Sequence, residues 1–171
     1  KGYGIASDAP VLAYYGKGYG IASDAPVLAY YGQGADNAAR LYTLDTRKLR
    51  STLRDDLAPE RTEGVNIVPT HDWTFKGSRG DTIYAYYNLP PDFDPEKKYP
   101  VIVYYYGGCS PVGRFLDTTY NPHLFASHGF ISLVINPSGA TGFGQEFSSR
   151  HVATAGEGVA QDIIDGVKQF C

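Results

Sequence analysis

Two short, mainly apolar runs constrain this chain most: VIVYYY at 101–106 and FISLVI at 130–135. Each is the length of a strand, and neither alternates polar with apolar, so each reads as a strand buried on both faces. The first stops at Gly107-Gly108, as a buried strand feeding a tight turn would. Between the runs HLFASHG is short and helix-like, and the loop PSGATGFG follows the second. Residues 156–170 then repeat at helical spacing, with Val159, Ile163, Ile164, Val167 and Phe170 on one face and Glu157, Gln161, Asp165 and Lys168 on the other. Strands that alternate with helices predict an α/β sheet, with the last helix packed on it and the two apolar strands side by side.

Upstream the pattern changes to antiparallel β. Trp73–Phe75 and Thr82–Asn88 read as two strands joined by the turn KGSRGD, and the proline-punctuated LPPDFDPEKKYP leads from them into the first apolar run. Earlier still, VLAYY from Val27, the turn-rich GQGADNAA and the run Arg40–Leu44 predict a hairpin. The polar stretch TRKLRSTLRDDLAPERTEG reads as an exit from one domain, which places the boundary near residues 58–68 and divides the chain into 1–63 and 64–171. Residues 1–16 recur without a change as 17–32. Working repeats drift apart and a propeller blade is about 40 to 50 residues long, so an exact 16-residue copy favours a recent duplication or an assembly artefact. One copy alone fits beside the strand at 40–45.

Composition removes several classes of function. Fifteen basic residues against eighteen acidic ones leave a net charge of −3 with no Lys/Arg cluster, which argues against nucleic acid as a partner. No apolar stretch approaches the roughly 20 residues of a membrane span. The two cysteines make no disulfide framework, no Cys/His spacing matches a metal site, and no glycine pattern marks a phosphate cradle, so neither metal nor cofactor is expected. The compartment stays open for a soluble chain, periplasmic and secreted locations included. With no methionine anywhere and a last residue inside a helical pattern, both ends read as cut.

Four features, in order, resemble the prolyl oligopeptidase and dipeptidyl peptidase IV family of serine peptidases: DWTF before a Gly-Asp turn, LPPDFDPEKKYPVIVYYYGG, NPSGATGFGQEFS, and VAQDIIDGVKQF. The resemblance implies the N-terminal part of an α/β-hydrolase sheet from about residue 64, preceded by a partial antiparallel β-propeller blade that carries YYGQGADNAARLYTLD. Ser138 and Ala140 stand where many relatives have arginine and serine. The resemblance also implies acyl transfer from a peptide substrate to a serine, with a histidine base and an aspartate. In the family that serine lies one strand beyond the helix at 156–170, so nucleophile, acid and base are expected outside this chain, which by itself should be inactive. The one functional group carried over is Tyr106, which matches the tyrosine whose hydroxyl holds the oxyanion of the tetrahedral intermediate. Read without the family it is an ordinary strand tyrosine among fifteen.

Other tempting residues have plainer readings. Ser110 in GCSPV lacks the last glycine of a nucleophile elbow, and Pro111 opposes the helix such an elbow needs. His71, His123, His128 and His151 read as structural or surface residues, and the spacing of His123 and His128 does not suit a metal pair. Arg79-Gly80-Asp81 reads as a hairpin turn, Asp55-Asp56 as solvated neighbours, and Cys109 as unreactive for want of a basic partner. Two other functions stay open: a non-peptidase hydrolase such as an esterase, and a non-catalytic scaffold of the same fold.

Overall fold

The computed structural model describes residues 18–56, 59–116, 118–154 and 156–171. They form two compact units: one holds the described residues up to Ile67 together with Gly113–Asn121, the other Val68–Val112 and Pro122–Cys171. No helix among the described residues is long and apolar enough to cross a membrane.

The first unit is a four-stranded antiparallel meander of β1 (Gly18–Ile21), β2 (Val27–Gly32), β3 (Arg40–Asp45) and β4 (Arg50–Asp56). The second repeat copy forms the β1–β2 hairpin, which lies beside β3 as one copy was expected to; the first copy lies outside the described residues. Cross-strand pairs explain the pairing of β2 with β3. Tyr30 and Tyr42 face each other in register with rings stacked 5.3 Å apart, the kind of pair that stabilises a sheet locally. β4 is a strand where the sequence suggested a polar exit. RSTLRDD buries little, and polar groups join it to β3: Arg40 Nε donates to Asp56 at 3.0 Å and Arg54 Nε to Thr43 Oγ1 at 2.7 Å. Asp56 is thus an ion-pair partner within a sheet, not a solvated linker residue.

The second unit is a mixed sheet, ordered β5 (Thr70–Lys76), β6 (Thr82–Asn88), β8 (Ile131–Asn136), β7 (Val101–Tyr104). β5–β6–β8 are antiparallel, whereas β7 and β8 run parallel as neighbours, with Val101 opposite Ile131 and Tyr104 opposite Val134. A parallel pair needs a crossover, and this one includes the short helix α1 (Pro122–Ser127), packed on β8 and β6. After β8 come α2 (Gln145–Ser149) and α3 (Glu157–Phe170).

One face of the sheet presents Phe75, Ile83, Ala85, Leu133 and Ile135, and α3 covers it with Ile163 and Phe170. The ring of Phe170 meets Trp73 and Tyr87 edge-on, at 5.1 and 5.2 Å. The helix packs on the sheet as its pattern predicted, with two changes. Ile164 is exposed, and the buried stripe runs through Val159, Asp162 and Gly166. β7 also ends earlier than its apolar run, leaving Tyr105 and Tyr106 beyond the strand and exposed.

Candidate functional site

In open α/β sheets ligands bind outside the carboxyl ends of the parallel strands, which here are the ends of β7 and β8. The loop after β7 carries Tyr106, Cys109 and Ser110; the loop after β8 runs from Pro137 to Gly144. Two sets of hydrogen bonds join them. Thr141 N–H donates to Cys109 O at 2.8 Å, and Asn136, at the last position of β8, accepts from Val112 N–H through Oδ1 at 2.7 Å. Its Nδ2 returns a longer bond to Val112 O at 3.5 Å, so the buried amide holds both the N–H and the carbonyl of one residue.

Tyr106 is 53% exposed and stands just past the end of β7. Its ring lies against Gly108, where a β-carbon would come within 2.6 Å of the tyrosine Cε1, so the glycine leaves the room the ring occupies. An exposed hydroxyl at the carboxyl edge of a sheet has the freedom to donate to a ligand there. Cys109 and Ser110 are also exposed. Ser110 is followed directly by coil at 111–115, so it is not at a strand-to-helix corner.

Beneath the second loop sits a charged cluster that the sequence reading passed over. Asp162 of α3 is completely buried, and its Oδ2 accepts from Ser138 N–H at 2.9 Å, from Ser138 Oγ at 2.6 Å and from Arg79 Nη2 at 2.9 Å. Arg79 reaches in from the β5–β6 turn; its Nη2 also meets Ser138 Oγ and donates to Gly158 O at 3.1 Å. Gly158 is small for a reason: a β-carbon there would run into the guanidinium. The turn that carries Arg79 is closed by Gly77 N–H to Asp81 O at 3.0 Å, so Arg79-Gly80-Asp81 does form a hairpin turn, but its arginine is held by the fold. Asp162 gave the missed signal. A carboxylate within an apolar helical stripe is costly to bury alone and calls for a cationic partner.

A second link ties that turn to α3. Ser78 N–H donates to Asp165 Oδ2 at 2.7 Å and Gln161 Nε2 to Asp165 Oδ1 at 2.8 Å. These bonds, the Ser78 backbone amide foremost, hold the Asp165 carboxyl below the ordinary aspartate range. Beside Ser138, Gly139 has φ +101° and backs onto His151, so the turn out of β8 suits glycine in both conformation and space. The other histidines lie elsewhere: His71 stacks on Tyr87, His123 is in α1, and His128 turns its Nδ1 to Leu124 O at 2.8 Å. Among the described residues no three His, Cys, Asp or Glu side chains converge as metal ligands would.

Comparison with known proteins agrees with this geometry. The model of the prolyl oligopeptidase family matches residues 116–171. Dipeptidyl-peptidase 5 of Schizosaccharomyces pombe is 36% identical over 120 residues, which are 68% of this chain and 17% of that protein. The acylaminoacyl peptidase of Pyrococcus horikoshii superposes on 92% of the chain with a TM-score of 0.78 and 24% identity, over 24% of its own length. A puromycin-hydrolysing peptidase of Mycobacterium tuberculosis covers 85% with a TM-score of 0.69, again at 24% identity, over 23% of its length. These structural likenesses establish the fold, the beginning of an α/β-hydrolase sheet preceded by antiparallel strands of a partial propeller blade. The chain spans about a sixth of the S. pombe relative and about a quarter of the P. horikoshii structure.

Proposed function

Because the chain belongs to the prolyl oligopeptidase family of serine peptidases, we propose that it is part of a longer enzyme that hydrolyses peptide bonds, in the manner of the dipeptidyl peptidases it matches. Residues 1–63 are read as part of a propeller blade and 64–171 as the start of the catalytic domain. The enzyme is read as a soluble protein that acts on peptides, periplasmic or secreted. The serine, its histidine base and the orienting aspartate are supplied by segments outside these 171 residues.

The observation that carries the reading is the position of Tyr106, exposed just past the carboxyl end of β7 in the loop that Thr141 ties at Cys109. Negative charge develops on the carbonyl oxygen as the serine attacks, and a preorganised hydroxyl there stabilises the transition state more than the bound substrate. Tyr106 is that donor. Tyr106→Phe removes the hydroxyl and keeps the ring on Gly108. In the complete enzyme it lowers kcat for a chromogenic dipeptide substrate by roughly 100-fold or more, with KM and stability nearly unchanged. An unchanged kcat removes Tyr106 from the mechanism. Serine-dependent hydrolysis by the 171-residue chain alone would place the nucleophile within it and overturn the assignment of the triad to other segments.

A further inference from the structure

Resting on the reading of Tyr106 as oxyanion donor, we infer that Arg79 is a positioning residue that sets the place of Tyr106 through Ser138, Asp162 and the turn out of β8. Arg79 is far from the reacting atoms in sequence and belongs to the β5–β6 turn, whose length and composition suggest only a connector. Its head is nevertheless held by three acceptors on two segments: Ser138 Oγ, Gly158 O and Asp162 Oδ2. All three contacts run through one nitrogen, Nη2, while Nη1 and Cζ lie flat over Gly158, so it is the planar shape of the guanidinium that a lysine ammonium, a compact point charge, would not reproduce. Gly158 keeps open the space the guanidinium fills.

From this anchor a short chain of contacts leads to the tyrosine. Ser138 is fixed by Asp162 through both its amide and its hydroxyl. Three residues on, Thr141 N–H holds the carbonyl of Cys109. Cys109 follows Gly108, against which the Tyr106 ring lies. Tyr106 is outside β7 and has no ladder to fix it, so its loop takes its place from these bonds. Without Arg79 the Asp162 charge is buried and unpaired. The cluster must then open to water to solvate that charge, which loosens the Ser138–Thr141 turn.

The test is a double-mutant cycle in the complete enzyme, using Arg79→Ala, Gly158→Ala, Tyr106→Phe and the pair Arg79→Ala with Tyr106→Phe. Gly158→Ala displaces the guanidinium while leaving its charge, and carries the same test if Arg79→Ala does not fold. Arg79→Ala and Gly158→Ala are each expected to lower kcat by roughly 10- to 100-fold, the scale of a misplaced catalytic group, while KM stays constant. Added guanidinium ion restores part of the activity of Arg79→Ala, and methylammonium does not. The paired variant is slower than Tyr106→Phe alone by no more than about twofold, because the two changes act on one interaction. Equal losses from Arg79→Ala in both backgrounds would show a merely structural residue and overturn the inference. So would an unchanged kcat in Arg79→Ala and Gly158→Ala while Tyr106→Phe is impaired, which leaves the oxyanion reading standing. An unchanged kcat in Tyr106→Phe removes that reading and this inference together.

Discussion

Gly166 on α3 and Ile135 on β8 approach so closely that a β-carbon on the glycine would lie 2.7 Å from the isoleucine Cδ1, and as near to the Phe75 ring. The helix sits on the sheet at the distance that a bare backbone allows. Gly166→Val places an isopropyl group, three extra carbons, into a buried contact with Ile135, which has no exposed surface. The expected cost is about 1–3 kcal/mol of unfolding free energy, read from denaturant midpoints at constant m-value. No loss would mean that α3 lies farther from the sheet than this.

Leu49 closes the β3–β4 turn with φ +51°, where the β-carbon of any L-residue is crowded by the backbone, and it is 66% exposed. Little packing is lost if it is replaced. Leu49→Gly is expected to raise stability by about 1 kcal/mol, the left-handed penalty of an L-residue being partly offset by the greater chain entropy of glycine. Leu49→Ala keeps the penalty and should gain nothing, so the two unfolding midpoints together separate the backbone effect from the side chain.

How far the sequence reached depended on whether apolar side chains marked each element. Both neighbouring strands of the parallel pair and α3 carry dense apolar runs, and their order and packing could be read directly. β4 could not. Its register is fixed by Arg40–Asp56 and Arg54–Thr43, pairs that look like solvated polar residues until β3 lies beside them. The end of β7 was hidden for the opposite reason. Tyr104, Tyr105 and Tyr106 suit a strand equally well, and only the pairing with β8 shows that it stops at Tyr104. At the candidate site, Tyr106 was accessible through motif order. The Arg79–Ser138–Asp162 cluster joins residues 59 and 24 positions apart, and no local pattern encodes such a meeting.

Asp165 gives a prediction in pH. Its carboxyl is held below the ordinary value of 3.8, chiefly by the Ser78 amide, so it binds its proton less readily in the folded chain than in the unfolded one. The stabilisation is therefore complete above about pH 5 and is lost as pH falls through the lowered folded pKa. In an NMR titration the Asp165 carboxyl carbon should show a midpoint below 3.8. Asp165→Ala should be less stable than the parent at neutral pH, with the gap closing in acid. A gap that does not change with pH would assign the effect to packing, not to the charge.

Asn136 offers a test of the loops at the carboxyl edge that leaves both Tyr106 and Arg79 in place. Its buried amide accepts from Val112 N–H at 2.7 Å and is the side-chain tie between the end of β8 and the segment that follows Cys109 and Ser110. Asn136→Ala deletes the acceptor, so the Val112 amide must find water or remain unpaired, at a cost of about 1–3 kcal/mol if it stays buried. Asn136 ends β8 and its backbone pairs with Tyr84, so the sheet should persist, and the change should be confined to the loops. Amide exchange at Val112 and Thr141 is expected to quicken while exchange in β6 and β8 stays slow. In the complete enzyme kcat should fall with KM little changed, because the segment released at Val112 is the one that also carries Tyr106. Faster exchange throughout β8 would instead make Asn136 a support of the whole sheet, and unaltered exchange at Val112 would show that its amide is held by some other group.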